Sequence, residues 1–179
     1  MSFATAVRTC LARYVTFSGR AARSEYWYFV LFVVLAELIA GIVDWTLFGA
    51  AATVVTETGT TTVATAPAPV QTVVALALFL PHLAAAWRRM HDTGRSGWYV
   101  LLPTLLSLAA LVILVIGIGT ASLFDGGTLD RLLTGTTLLI LIPTGLVLLV
   151  SPLLVLWWLT RPSQPGHNAY GPNPHEVTP

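Results

Sequence analysis

The residues of this chain that could do chemistry are concentrated between Arg88 and Trp98, where the sequence is Arg-Arg-Met-His-Asp-Thr-Gly-Arg-Ser-Gly-Trp. Guanidinium groups donate paired hydrogen bonds to carboxylates and phosphates, so Asp92 can bridge neighbouring arginines. Gly94 and Gly97 permit a tight turn, and Ser96 can cap the helix that follows. Beside these structural roles, the arginines predict a site for anionic lipid headgroups or an acidic protein partner. The candidate residues for that site are Arg20, Arg23, Arg88, Arg89, His91, Asp92 and Arg95.

Catalytic chemistry has little support in the residue pattern. His91 and Asp92 supply too few ligands for a metal ion, and the other histidines of the chain complete no metal-binding spacing. Gly94 begins no nucleophile elbow, because Trp98 stands where the second glycine of that motif must be. No phosphate loop, cysteine pair or dinucleotide motif occurs. We therefore expect no catalytic residue, metal site or cofactor, and a protein that is not an enzyme.

Glu37 is a second candidate, because it lies near the middle of the first long apolar segment. At about 1.5 Å per residue it is roughly 16 Å from the inner end of that segment. Ser107 and Ser151 are predicted at similar depth on two other segments. No arginine lies inside a predicted span to neutralise Glu37, so desolvation disfavours its ionised form. Three hypotheses stay open: a neutral carboxyl that joins helices through those serines, a path for protons or cations, and a contact in a homo-oligomer.

The distribution of arginine predicts how these residues are positioned. The chain has 9 basic residues, all of them arginine, and all but Arg131 fall on one side of the long apolar runs. Short loops rich in arginine stay in the cytoplasm. Hydrophobic residues make up 55% and charged residues 9% of the 179 positions, against roughly 25% charged in soluble domains. The sequence predicts an all-α membrane protein with four transmembrane helices and both termini cytoplasmic.

The predicted elements form a single membrane domain. An amphipathic interfacial helix is predicted at 3–18, transmembrane helices at 26–48, 68–87, 98–119 and 136–159, and an irregular cytoplasmic tail at 160–179. The interfacial helix rests on apolar residues at helical spacing, with a disordered leader as the alternative. These residues are Phe3, Val7, Cys10, Leu11, Tyr14 and Phe17. The Thr- and Val-rich segment 51–69 predicts an outer loop or an extended hairpin, and Asp125 to Asp130 predict a short outer turn.

Three motifs give the chain a resemblance to a known family. They are Phe-x-Gly-Arg-x-x-Arg-x-Glu-Tyr-Trp at 17–27, Arg-Arg-x-His-Asp-x-Gly-Arg-Ser-Gly-Trp at 88–98 and Asn-x-Tyr-Gly-x-x-Pro at 168–174. The chain resembles the bacterial inner-membrane family called domain of unknown function 805, from about Tyr14 to Pro174. Met90 departs from the leucine common at its position. The resemblance implies a small multi-pass protein of the bacterial inner (plasma) membrane, and it implies no activity or catalytic residue.

Two functional hypotheses follow from these observations. In the leading one, the chain organises anionic membrane lipids or partner proteins through its arginine-rich cytoplasmic face. In the rival one, it is a small proton-coupled transporter or channel that uses Glu37. A homo-oligomer or a membrane protein partner is compatible with both. The net charge of +1 favours no nucleic acid.

Overall fold

The computed structural model describes residues 1–56, 59–65, 67–125 and 135–176. The described chain is mainly helical, with the irregular tail after the last helix. Its elements in order are α1 (Phe3–Ala12), α2 (Arg23–Phe48), β1 (Ala50–Thr56), β2 (Gly59–Thr65), α3 (Pro69–Asp92), a 3-10 helix (Gly97–Leu101), α4 (Leu102–Asp125) and α5 (Gly135–Thr160).

Three segments of the described chain are long and apolar enough to cross a membrane, namely Arg23–Phe48, Pro69–Asp92 and Ile142–Thr160. They correspond to the first, second and fourth predicted spans. Helix α4 has 24 residues, a length of about 36 Å at about 1.5 Å per residue. Helix α3 ends at Asp92, beyond the predicted end at 87, because its last turn carries polar side chains that find partners inside the protein.

The segment between α2 and α3 forms a two-stranded antiparallel hairpin, the alternative that its Thr and Val content favours. Ala50 pairs with Thr65, and Thr56 pairs with Gly59 at the closed end. The all-α prediction therefore applies to the apolar segments and not to this connection. The predicted outer turn at 125–130 lies, after Asp125, outside the described residues.

Helix α1 ends at Ala12, whereas the sequence predicts a helix to residue 18. Its buried residues are Ala6 and Cys10, whose small side chains let α1 pack against α2 and α3. Phe3 and Leu11, predicted on the same face as Cys10, are exposed. The helix thus turns a strip of small residues toward the protein and leaves larger apolar residues exposed.

The tightest packing lies at the end of the bundle where α2 begins and α3 and α5 end. Its buried apolar residues are Cys10, Tyr26, Phe29, Ala85, Ala86, Met90, Val155 and Leu159. Toward the other end, large side chains are exposed, with Leu38 at 59% and Leu76 at 70%. Aliphatic side chains on the outside of a helix bundle are typical of a surface that contacts lipid. We call the end of the bundle where α2 begins and α3 and α5 end the inner end.

Asp44 connects α2 to α3 at the opposite end. Its two carboxylate oxygens accept hydrogen bonds from the backbone nitrogens of Val70 (3.0 Å) and Gln71 (2.7 Å), and the residue is 2% exposed. The first N–H groups of a helix have no partner within the helix, and a carboxylate there is favoured by the helix dipole. Asp44 therefore fixes the start of α3, and the sequence alone did not identify this role.

Tyr14 contacts α3 at a backbone position that a proline leaves without a partner. Pro81 lies inside α3 and has no N–H to donate to the carbonyl of Ala77, four residues before it. The Tyr14 hydroxyl donates to that carbonyl oxygen. Prolines are tolerated in membrane helices when neighbouring groups satisfy the freed carbonyl. The contact explains how α3 continues through Pro81.

Candidate functional site

Buried charged side chains are grouped at the inner end of the bundle. We call this group the inner charge cluster, and its members are Arg20, Glu25, Arg88, Arg89 and Asp92. None of them is more than 6% exposed. Buried charges are stable only when they are paired and hydrogen-bonded, so their partners determine what the cluster can do.

Asp92 is the centre of the inner charge cluster. One carboxylate oxygen accepts from Arg20 Nε at 3.0 Å, and the other accepts from Arg89 and from the Ser163 hydroxyl. Its backbone oxygen accepts from the backbone nitrogen of Gln164 at 2.9 Å. Asp92 thus bridges two arginines, as its position predicts, and it also binds the tail through main chain and side chain.

A second ion pair joins α2 to α3 at this end, and Cys10 of α1 lies beside it. Arg88 Nη1 lies 2.5 Å from a Glu25 carboxylate oxygen, and both side chains are buried. The Cys10 thiol is within 3.8 Å of the same carboxylate, and its sulfur is 3.9 Å from Arg88 Nη2. Burial, and then the negative charge of Glu25, raise the pKa of the Cys10 thiol to about 11. Cys10 is therefore a protonated packing residue at neutral pH.

The tail binds the inner charge cluster through backbone carbonyls. Arg20 donates to the carbonyl oxygens of Gln164 (2.5 Å), Gly166 (2.8 Å) and Gly171 (3.2 Å). Gly166 and Gly171 have φ values of +68° and +127°, a backbone region that favours glycine. Between 161 and 176 the described tail contains no helix, which agrees with its prolines. The hydrogen bonds from Arg20 therefore fix the tail where a helix or a sheet would use backbone pairing.

His91 contacts the tail beside Arg20. Its ring stacks on Tyr170 with centroids 3.8 Å apart and planes 4° from parallel. The His91 Nδ1 atom is 3.1 Å from the Gly19 carbonyl oxygen, so the N–H tautomer at that nitrogen can donate to it. The Asn168 amide donates to the His91 backbone oxygen at 2.9 Å. His91 thus packs two segments that are distant in sequence.

Arg89 fixes the end of α5. It donates through Nε to the Leu159 carbonyl oxygen at 3.1 Å and through Nη2 to the Arg161 carbonyl oxygen. The last carbonyls of a helix lack partners within the helix and favour a cation nearby. Arg89 therefore satisfies the Leu159 carbonyl of α5 and the Arg161 carbonyl just after the helix while it pairs with Asp92.

The turn after α3 depends on two glycines. Gly94 has a φ of +75°, and an added Cβ at Gly97 would overlap the Trp87 indole. Ser96 precedes the 3-10 helix, but its side chain makes no capping hydrogen bond, so the predicted cap is wrong. The turn is held instead by close packing of the Trp87 ring on Gly97. The ring centroids of Trp87 and Trp98 are also 5.0 Å apart.

Two of the seven candidate arginine-site residues remain accessible. Arg23 is exposed and donates to the Thr160 carbonyl oxygen at 3.4 Å. Arg95 is partly exposed, and its guanidinium carbon lies 5.0 Å from the centre of the Trp158 ring. The other five, Arg20, Arg88, Arg89, His91 and Asp92, are buried among protein groups. Arg161, which the sequence analysis did not select, is exposed, and its guanidinium carbon lies 4.9 Å from the centre of the Trp157 ring.

Glu37 does not join the serines predicted to accompany it. The exposed Ser107 hydroxyl donates to the Pro103 carbonyl of its own helix at 2.8 Å, and the buried Ser151 hydroxyl has no partner among the described residues. Hydropathy places a residue in depth but does not say which way it faces around the helix. Glu37 lines an open groove of about 570 Å³ between α2 and α3, together with Gln71, Gly41 and apolar side chains.

The inner charge cluster can hold chain segments together, and the accessible arginines beside it present positive charge. Among the described residues, no three His, Cys, Asp or Glu side chains gather as a metal site would require. Sequence reasoning missed the tail residues that complete the inner charge cluster, Ser163 and Gln164 above all. The motif at 168–174 was the available signal, since Asn168 and Tyr170 both contact His91.

Comparison with known proteins agrees with the motifs. A family model described as protein of unknown function (DUF805) matches residues 14–172. Inner membrane protein YhaH of Escherichia coli strain K12 is 35% identical over 109 residues, which cover 59% of this chain and 77% of the relative. Inner membrane protein YhaI of the same strain is 37% identical over 105 residues, covering 59% of this chain and 75% of the relative. No solved structure matches the chain.

Proposed function

Because the chain belongs to the DUF805 family, whose matched relatives are inner membrane proteins, we propose that it is a non-enzymatic inner-membrane protein that organises anionic lipids or partner proteins through its arginine-rich face. One observation carries this proposal. Six arginines gather at the inner end, whereas the ion pairs there use two carboxylates, those of Glu25 and Asp92. The six are Arg20, Arg23, Arg88, Arg89, Arg95 and Arg161. The excess positive charge attracts anions at the membrane surface.

The proposal includes four spans with both termini in the cytoplasm. The ion pair of Arg20 with Asp92 brings the start of α2 to the end of α3, and Arg89 brings the end of α5 to the same place. Because α3 and α5 finish at the same end of the bundle, we infer that α4 crosses to the other end and that α5 returns. Arginine-rich segments favour the cytoplasm, which assigns the inner end to that side.

Reporter fusions test the topology. Fusions at Gly59 and Gly127 are expected to report the outer side, and fusions at Gly94 and Gly166 the cytoplasm. A reporter that responds only in the cytoplasm and one that responds only outside, placed at each position, provide the matched control. An external Gly94 would contradict the proposed orientation.

Lipid binding tests the role of the cationic face. The purified full chain is mixed with vesicles of dioleoylphosphatidylglycerol or of dioleoylphosphatidylcholine, and lipid retained after detergent extraction is quantified. We expect preference for the anionic lipid, and a decrease in that preference as salt rises from about 0.1 M to about 1 M, because salt screens exposed charges. In parallel, crosslinking in cells identifies partners at Arg23 and Arg95. No lipid preference and no crosslinked partner would refute the proposal.

The second candidate function is a proton-coupled transporter or channel, and the groove at Glu37 is the observation that favours it. Within the described chain, the carboxyl has no hydrogen-bonding partner, and Gln71 is the other polar lining residue. Ionisable residues inside a membrane often mark proton paths. Proton flux in reconstituted vesicles would favour this function over the first one if Glu37→Gln abolishes it and Ser107→Ala, a control at an exposed position outside the groove, leaves it unchanged. We expect no such flux.

A further inference from the structure

The strongest unassigned feature of the molecule is a group of accessible arginines at the end of α5, of which Arg161 is exposed and Arg95 is partly exposed. Arg95 and Arg161 lie against adjacent tryptophans, at 5.0 Å from Trp158 and 4.9 Å from Trp157. Neither takes part in an ion pair among the described residues, since Glu25 and Asp92 are occupied by buried arginines. The pair therefore presents positive charge that the protein itself does not neutralise.

The two guanidinium groups lie at the same end of α5, since the rings on which they stack belong to successive residues of that helix. Burial, and then the positive charge of Arg161, lower the pKa of Arg95. Arg23 adds a third cation beside them, because it donates to the carbonyl of Thr160. Like charges held together without a counter-ion are unfavourable, and an anion bound between them would relieve that repulsion.

The site is rigid on its protein side. Buried Arg89 holds the carbonyls of Leu159 and Arg161, so the end of α5 has a fixed position. Trp158 contacts Tyr99 edge to face, with ring centroids 5.2 Å apart, and so supports the ring on which Arg95 lies. Arginine stacked on an aromatic ring loses less conformational freedom when it binds an anion, because its planar group is already oriented.

The surroundings identify a lipid as the source of the anion. Trp157 is 54% exposed, and Leu153 and Leu156 continue an exposed apolar surface along α5. Tryptophan rings prefer the headgroup level, and aliphatic residues one or two turns away lie where acyl chains begin. A phospholipid whose headgroup phosphate lies at the arginines would therefore have its acyl chains against α5.

We propose that Arg95 and Arg161, stacked on Trp158 and Trp157, form a binding site for the headgroup phosphate of an anionic phospholipid whose acyl chains lie along α5. This inference rests on the proposed lipid-organising function and gives it a location. Arg23 is positioned to contribute a further charge. The buried arginines contribute indirectly, because they fix the end of α5 and occupy the available carboxylates.

The test measures lipid binding to the full chain in neutral detergent by native mass spectrometry. Dioleoylphosphatidylglycerol is the probe, dioleoylphosphatidylcholine is the zwitterionic reference, and inorganic phosphate is the headgroup anion without chains. The key variant is Arg95→Gln with Arg161→Gln. The matched control is Arg8→Gln with Arg13→Gln, which removes the same charge from exposed positions on and beside α1.

Each arginine near a headgroup contributes about 1 kcal/mol, so losing two of them corresponds to about 30-fold weaker binding of phosphatidylglycerol. We expect this loss in the key variant, less than about threefold loss in the control pair, and little change for phosphatidylcholine. Arg95→Lys with Arg161→Lys keeps the charge but loses the stacked planar group, and an intermediate loss is expected. Melting temperatures equal to wild type show that each variant is folded.

Three outcomes would overturn the inference. If the wild type prefers phosphatidylglycerol but the key variant and the control pair bind it equally, the site is elsewhere and the lipid-organising function survives. If inorganic phosphate alone binds as tightly as the lipid, the site serves a free anion. If the wild type shows no preference for the anionic lipid, the lipid part of the proposed function fails together with the inference.

Discussion

Replacing Asp92 by asparagine is expected to destabilise the protein strongly, because two buried arginines lose their shared counter-ion. The carboxylate is fully buried and is shared by Arg20, at 3.0 Å, by Arg89 and by the Ser163 hydroxyl. Asparagine keeps one oxygen acceptor of the same size. It removes the negative charge, however, and turns an N–H donor toward a guanidinium that also donates.

The magnitude follows from the burial of both partners. Removing one member of a buried ion pair costs about 3–5 kcal/mol, because the other charge remains without compensation. A chain of this size loses about 2–4 °C in Tm per kcal/mol, so the expected decrease in Tm is roughly 6–20 °C. The tail should also detach, since Arg20 and Asp92 both contribute to its binding.

Two measurements test this prediction on the purified chain. A maleimide dye that fluoresces on reaction with Cys10, which is buried and is the single cysteine of the chain, reports unfolding during heating. Chymotrypsin cleavage after Tyr170 reports tail release, because that ring is stacked on His91 in the folded protein. Arg8→Gln, which removes one charge from an exposed position on α1, is the control and should leave both readings unchanged. Wild-type Tm and cleavage rate in Asp92→Asn would refute the reasoning.

Three further predictions concern single side chains. Asp44→Asn should reduce the stability by about 1 kcal/mol through loss of the charged helix cap, measured as a lower Tm, with no effect on tail cleavage. Tyr14→Phe should cost about 0.5–1.5 kcal/mol because it leaves the Ala77 carbonyl without a donor, and an unchanged Tm would argue against that role. The pKa of the Cys10 thiol is raised from 9.0 to about 11, so its protonated form favours folding below pH about 9, and this contribution is lost as pH rises toward about 11. Alkylation of Cys10 in the folded protein at pH about 8.5 should therefore be slow. Fast alkylation at that pH would contradict its burial.

The helical elements were predictable because hydropathy alone identifies long apolar segments. The segment predicted at 26–48 became a helix from Arg23 to Phe48, and the one at 136–159 a helix from Gly135 to Thr160. The end of α3 was misplaced because a charged turn looks like a loop when its partners are unknown. Arg20 and Asp92 are 72 positions apart, and their pairing depends on how the segment before α2 folds back on α3.

The sequence identified the residues of the candidate site, but it did not predict that most of them are buried. The sequence identified Arg88, Arg89 and Asp92 as a group, but arginine is rarely fully buried, so an exposed surface was the natural expectation. Burial became favourable here because Glu25, Asp92 and the carbonyls of α5 supply acceptors. Similarly, depth in the membrane suggested that Glu37 meets Ser107 and Ser151, whereas Glu37 lines the groove beside Gln71 and neither serine bonds to it.

The docking of the tail on the inner charge cluster has a consequence for biosynthesis. Ribosomes deliver a chain from its N-terminus at about 5–20 residues per second, so Arg20 and Asp92 are made before Ser163, Gln164 and Gly171, which complete their hydrogen bonding. Until the end of the chain is released, part of the cluster must be satisfied by water or headgroups. A chain that stops short of Ser163 retains buried donors without partners, and we expect proteases of membrane quality control to remove it faster than the full-length protein.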